Sequence, residues 1–177
     1  MTGTKKASVT AEIMAVHRAT EMLLPEEERV CQDPLAIKFL PPEWVALLKD
    51  REKLIALASE HAQKMPGING AIAARVRFID EIVLHAMEEG LDQLVILGAG
   101  YDSRAYRMEG IEKNTHVFEV DHPFSQGNKI KKVKEIFGEK PGHVTFVPLE
   151  FTRDDLKIYL LGRVSILQNE PCSLWKG

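Results

Sequence analysis

Long apolar runs, paired cysteines and a surplus of one charge are all missing from this sequence. No stretch of about 18 apolar residues occurs, so no membrane-spanning helix is expected. The two cysteines, Cys31 and Cys172, lie far apart and form no CxxC. That argues against a disulfide scaffold and leaves each as an idle or buried thiol, as a reducing cytoplasm favours. The net charge is only −3, so no nucleic-acid partner is called for. The six histidines (17, 61, 85, 116, 122 and 143) form no HExxH and no ligand spacing supported by cysteine or acid, and no metal site is expected. No GxxxxGK[ST] is present, which rules out a P-loop. The MTGTKKASVTAEIM start has two lysines but too short an apolar stretch behind them for a signal peptide, so a cytoplasmic location is the expectation.

What remains is an ordinary globular balance, 45% apolar and 28% charged over 177 residues, enough to bury a real core. No repeat or low-complexity tract appears, and two regions differ in pattern. Residues 1–90 read as a helical N-terminal extension or lid. Ser8 and Thr10 are candidate caps for a helix carrying Ile13, Val16, Ala19 or Thr20, and Leu23 at helical spacing. Pro25 stops it, Asp33-Pro34 opens a short helix, and Pro41-Pro42 breaks the chain again before one or two more. The clearest helix runs from about Ala71 to Glu89, with Ile72, Val76, Ile79, Val83 and Met87 on one stripe and Gly90 at its end.

Residues 91–177 change character. QLVILGAG is a short, continuous apolar run closed by glycines, as a buried parallel strand should be. HVFEVD repeats the form, then come a lysine-rich helix (Gln126 to Phe137), HVTFVPLEF, a helix near Arg153 to Leu161, and PCSLWKG as a possible fourth strand. Strands alternating with helices give an α/β fold with a parallel, doubly wound sheet and right-handed crossovers.

Two features of that half carry chemistry. Gly98-Ala99-Gly100 follows the first strand directly, where glycine lets backbone approach a ligand and leaves N–H groups free. Asp121 ends the next strand, about twenty residues on, as does the acid that accepts hydrogen bonds from ribose hydroxyls in nucleotide folds. Both fall at the carboxyl ends of the strands, where such sheets bind ligands. The plainer alternative is a tight glycine turn with Asp121 merely capping a helix. For the nucleotide, Ser103 stands where the dinucleotide fingerprint wants a third glycine, which disfavours a nicotinamide cofactor. Ile96 stands where common methyltransferase signatures carry an acid. The residues place S-adenosyl-L-methionine ahead of a nicotinamide cofactor and leave both open.

VILGAGYDSRAYR followed by VFEVDHP resembles the leucine carboxyl methyltransferase-like family of S-adenosyl-L-methionine-dependent enzymes, which carries LGAG-x-D-[ST]-R and then EVDxP. RATE in the first helix, QDPLA at 32–36, ARVRFIDE at 74–81, FVPLEF and RDDL are similar to further landmarks of that family. The resemblance implies a Rossmann-like class I methyltransferase sheet and an O-methyltransferase acting on a carboxylate or hydroxyl of a small molecule or peptide. It implies that Gly98, Ala99 and Gly100 line the methionine part of the cofactor and that Asp121 holds the ribose hydroxyls. Arg75 would pair with the cofactor carboxylate, a geometry that suits a guanidinium fork, with Arg77 as competitor. Glu150, where the family has aspartate, and Phe151 would flank the adenine. Asp102 and Arg104 would shape the turn. No catalytic residue stands out, because methyl transfer mainly needs alignment and exclusion of water.

The chain departs from the family at its end. Trp175-Lys176-Gly177 aligns with a W-E-G element, so Lys176 replaces a glutamate facing the cofactor and disfavours a sulfonium there. The family also continues beyond this point, so the sheet is expected to be incomplete, with an exposed edge prone to self-association. A truncated, inactive product is the non-enzymatic alternative. Among other residues, His122 reads as a cofactor contact or loop packing, and Trp44 as lid or core. The run Lys129, Lys131, Lys132 and Lys134 reads as a solvated helix face. Tyr101 and Tyr106 could border a substrate.

Overall fold

The computed structural model describes residues 3–154 and 173–176. The N-terminal half is helical: α1 (Gly3–Glu21), α2 (Ala36–Phe39), α3 (Pro42–Lys49), α4 (Arg51–Lys64) and α5 (Ile68–Glu88). Helix α1 is already running at Ser8 and Thr10, so neither is its cap. Nothing from Gly3 to Ser8 breaks a helix, and Lys5, Lys6 and Ala7 favour one. The helix stops at Glu21, ahead of Pro25, and Leu23 of the expected stripe is left half exposed. Asp33-Pro34 forms the turn before α2, and Pro42 occupies the first turn of α3, where its missing N–H costs nothing. On α5, Val76 and Val83 are buried, and Ile79 and Met87 pack against the sheet core.

The sheet has four parallel strands, β1 (Gln93–Leu97), β2 (His116–Asp121), β3 (Val144–Pro148) and β4 (Ser173–Lys176), in the order β3-β2-β1-β4. The expected fourth strand is therefore present, paired to β1 with Leu97 opposite Lys176. Both faces of β1 and β2 are covered: Leu94, Ile96 and Val117 lie in one buried cluster, Val95, Leu97, Phe118 and Val120 in another. Two-sided burial is why these strands read as largely apolar runs rather than alternating ones, the buried Glu119 of β2 excepted.

Two single-turn helices, α6 (Arg104–Arg107) and α7 (Ile111–Asn114), connect β1 to β2, and α8 (Pro123–Phe137) connects β2 to β3. Helix α8 starts at Pro123 rather than Gln126, because His122 caps it: its Nδ1 accepts from the Phe124 N–H at 3.2 Å. The helix expected near Arg153 to Leu161 lies outside the described residues from 155 on, as does Cys172.

The lysine run is not one solvated face. Lys131 and Lys134 are exposed, but Lys129 is fully buried with its Nζ 2.7 Å from Oε2 of the equally buried Glu119 on β2. The two chains of the pair meet because α8 packs back on β2, which a count of charges along α8 does not reveal. Trp44 belongs to the core: it packs against the cluster of Ala15, Ala19, Phe39 and Leu48, and its Nε1 donates to Glu12 at 3.3 Å. That cluster also takes in Tyr101 and Val133, so the helical region and the sheet half share one interior.

Candidate functional site

At the end of β1 the chain must turn sharply beside β2. The N–H groups of Gly98 and Ala99 both donate to the Val120 carbonyl, at 2.8 and 3.1 Å. Gly98 (φ 66°) and Gly100 (φ 43°) then adopt left-handed conformations that a side chain disfavours. The turn delivers the Gly100 N–H to the Asp121 carboxylate, 2.5 Å from Oδ2, while Oδ1 accepts from the His122 N–H at 2.6 Å. An ionised carboxylate has about four lone-pair positions. Two are engaged by backbone, which leaves acceptor capacity on a fixed, half-buried group.

A cavity of about 290 Å³ opens beside this contact. Its walls come from α1 (Thr10, Ala11, Met14), from α5 (Ile72, Arg75, Val76, Ile79), from the turn after β1 and from Asp121. Gly98, Ala99, Gly100, Asp121 and Arg75 are thus brought together. Arg75 projects from α5 to the cavity and has no ion pair among the described residues. Arg77, its competitor, is instead paired along α5 with Glu81 at 2.8 Å and does not line the cavity. Glu150 and Phe151 are not among the lining residues. They follow β3, at the same carboxyl end of the strands as Asp121, whose register partner is Pro148. The Glu150 carboxylate lies 3.7 Å from Arg153, and Phe151 is exposed. Tyr101 lines the cavity; Tyr106 instead donates to Glu119 at 3.2 Å.

The floor is a neutralised charge network that composition and spacing did not show. Arg18 pairs with Asp33 at 2.7 Å; Arg104 and Arg107 both reach Asp80 at 2.7 Å, and Arg104 also pairs with Asp102. Three guanidinium groups thus meet three carboxylates. Burial alone would raise the Asp102 carboxyl, but the Arg104 guanidinium, with Lys129 and Arg18 behind it, outweighs that and holds it at about 2. Asp102 and Arg104 therefore brace the turn, as the motif suggested: Asp102 Oδ1 also accepts from the Arg104 N–H at 2.9 Å. Ser103 explains itself here. Its hydroxyl donates to Asp33 at 2.6 Å and accepts from Arg107 at 3.0 Å, a role glycine cannot fill. Arg18, Asp33 and Asp80 were visible only as members of RATE, QDPLA and ARVRFIDE. Among the described residues no group of His, Cys, Asp and Glu could hold a metal ion, and no helix is long and apolar enough to cross a membrane. Cys31 is buried, and burial with Glu21 and Asp80 nearby pushes its thiol up to about 11.

A parallel sheet with a glycine turn at the tip of β1, an acid at the tip of its neighbour and a cavity beside them defines a Rossmann-like, nucleotide-binding type of fold. The profile of the leucine carboxyl methyltransferase family matches residues 11–170, and the chain belongs to that family. Its relatives include three proteins named "Putative S-adenosyl-L-methionine-dependent methyltransferase". YktD of Bacillus subtilis (strain 168) is 40% identical over 80 residues, covering 45% of this chain and 26% of that protein. The Mycolicibacterium paratuberculosis protein is 31% identical over 157 residues, 85% of this chain and 48% of its own length. SCO7813 of Streptomyces coelicolor is 34% identical over 125 residues, 66% of this chain and 40% of its own. The chain spans about half or less of the length of these relatives. Nothing in these matches supports the nicotinamide alternative.

Proposed function

We propose that this chain binds S-adenosyl-L-methionine and provides the cofactor half of an O-methyltransferase acting in the cytoplasm on a carboxylate or hydroxyl of a small molecule or peptide. The observation that carries this reading is the Gly100 N–H to Asp121 contact at the cavity wall. The residues suit the cofactor. Asp121 keeps acceptor capacity for two ribose hydroxyls, and Gly98 has no atom within 4 Å of where a Cβ would stand, so backbone can face a ligand closely. Arg75 brings an uncommitted fork for a carboxylate. Glu150 and Phe151, at the same carboxyl end of the strands, supply the adenine end.

The cofactor, once bound, supplies a methyl group on a sulfonium whose leaving group is neutral. The protein's part is to hold and to exclude water. Asp121 fixes the ribose, Arg75 the amino-acid end, and the braced turn keeps Gly98 to Gly100 from moving between them. The apolar side chains of Met14, Ile72 and Ile79 keep water from the same space. A carboxylate acceptor is already ionised and has no proton to lose; a hydroxyl acceptor must give its proton to a base as the O–CH3 bond forms.

One observation favours a second reading. Lys176 ends β4 in register with Leu97, immediately before Gly98, so a cationic residue ends the strand beside the glycine turn, where a sulfonium would be disfavoured. A chain that holds cofactor but turns over poorly, or not at all, is that reading. Isothermal titration of the 177-residue chain with S-adenosylhomocysteine and with NAD tests the cofactor binding that both readings share. Binding of the first alone supports the proposal. NAD binding refutes it, and so does binding of neither.

A further inference from the structure

We propose that Arg18 is a positioning residue that latches helix α1 onto the turn after β1, and so sets the shape of the cofactor cavity. Helix α1 forms a wall of that cavity and lies very close to the turn: a Cβ on Gly100 would stand 3.1 Å from the Ala11 Cβ. Packing of small residues brings the two together but gives no fixed register between them. Arg18 provides it. Its guanidinium donates through Nη2 to the Tyr101 carbonyl at 2.5 Å, through Nε to Asp33 Oδ2 at 2.7 Å, and through Nη1 back to the Met14 carbonyl of its own helix at 3.1 Å.

The other end of the latch is built as carefully. Asp33 is fully buried, and the oxygen that takes Arg18 also takes the Ser103 hydroxyl at 2.6 Å. One carboxylate therefore holds α1 through Arg18 and the turn through Ser103. The Tyr101 carbonyl sits one residue beyond the Gly100 N–H that meets Asp121. Moving α1 thus moves the backbone that aims at the ribose-binding acid. A planar fork spans these acceptors in fixed directions; an ammonium does not. When the binding-competent arrangement is only partly populated, apparent affinity falls by that fraction, so a helix seated one-tenth of the time weakens binding by about tenfold.

This inference rests on the cofactor reading of the cavity, and the test separates the two. Arg18→Ala, Arg18→Lys and a core control on β3, Val144→Ala, are compared with the unaltered chain. Amide exchange is measured without ligand, together with thermal unfolding and titration with S-adenosylhomocysteine. Both Arg18 variants are expected to show at least tenfold faster exchange at residues 10–17 and 98–103, with 117–120 and 144–148 unchanged. Affinity for S-adenosylhomocysteine should fall at least tenfold in both. Arg18→Lys, which keeps a cation for Asp33, should recover melting temperature but not affinity. Exchange that rises evenly through the chain overturns the latch. So does an affinity loss no greater than that of Val144→Ala at equal melting temperature. If the unaltered chain binds no S-adenosylhomocysteine, the cofactor reading fails, and the exchange pattern alone decides whether Arg18 is the latch.

Discussion

Removing the Lys129 side-chain charge should destabilise this protein far more than removing a surface lysine would. Lys129 Nζ is 2.7 Å from Glu119 Oε2, with both side chains out of solvent, and lies 5.5 Å from the centre of the Tyr106 ring. Burial pushes the Glu119 carboxyl up to about 7, even with Lys129 and Tyr106 opposing it. Lys129→Met leaves that carboxylate without its cation. Breaking a buried pair from one side costs about 3–5 kcal/mol, whereas exposed substitutions stay within about 0.5 kcal/mol. Protonation of Glu119 relieves part of the loss, so the cost should be greater at pH 8 than at pH 5.5. Lys129→Met with Glu119→Gln removes both charges and should return to within about 2 kcal/mol of the parent, since neutral replacement of buried pairs is often tolerated. Urea unfolding of the single and double variants at both pH values measures this. A cost below about 1 kcal/mol for Lys129→Met at pH 8, or a double variant no better than the single, would refute the buried-pair reasoning.

Glu119 also sets a pH dependence for the unaltered chain. Its folded carboxyl lies above the ordinary 4.5, so its contribution is whole below about 4.5 and is lost as pH rises to about 7, on the order of 3 kcal/mol in all; chemical unfolding across that window should show the slope, and Glu119→Gln should flatten it. Asp121→Ala should weaken S-adenosylhomocysteine binding at least tenfold by calorimetry, since a hydrogen bond to a charged group is worth about 1.5–3 kcal/mol; unchanged affinity would remove Asp121 from the site. Arg75→Gln should weaken the same ligand about tenfold and Arg77→Gln should not, because only Arg75 lines the cavity; equal effects would cancel the distinction. Cys31, buried and raised to about 11, should stay unlabelled by a thiol reagent at pH 7.5 in native protein, as read by peptide mass spectrometry, and label quickly in urea.

Much of this architecture was legible in one dimension because the signals are local. The strands QLVIL and HVFEVD are mostly apolar, since helices and neighbouring chain cover both of their faces, with Glu119 the buried charge among them. The glycines of the turn and Asp121 announce themselves by type and spacing. The single-turn helices α6 and α7 did not, because one turn is too short to show a helical period. The start of α1 lies before its capping residues: Ser8 and Thr10 are good caps, but helix-forming residues ahead of them let the helix begin at Gly3.

What composition, spacing and family motifs determined, then, is the parallel α/β plan and the pairing of a glycine turn with a carboxylate, both consequences of backbone rules acting over a few residues. What only the tertiary structure decided is where the charges go. Arg18 finds Asp33 fifteen residues away, Ser103 finds the same carboxylate across seventy, and Lys129 turns inward to Glu119 rather than out to water. An ion pair depends on distance and on the loss of solvent around it, and neither exists until separate elements have packed against each other.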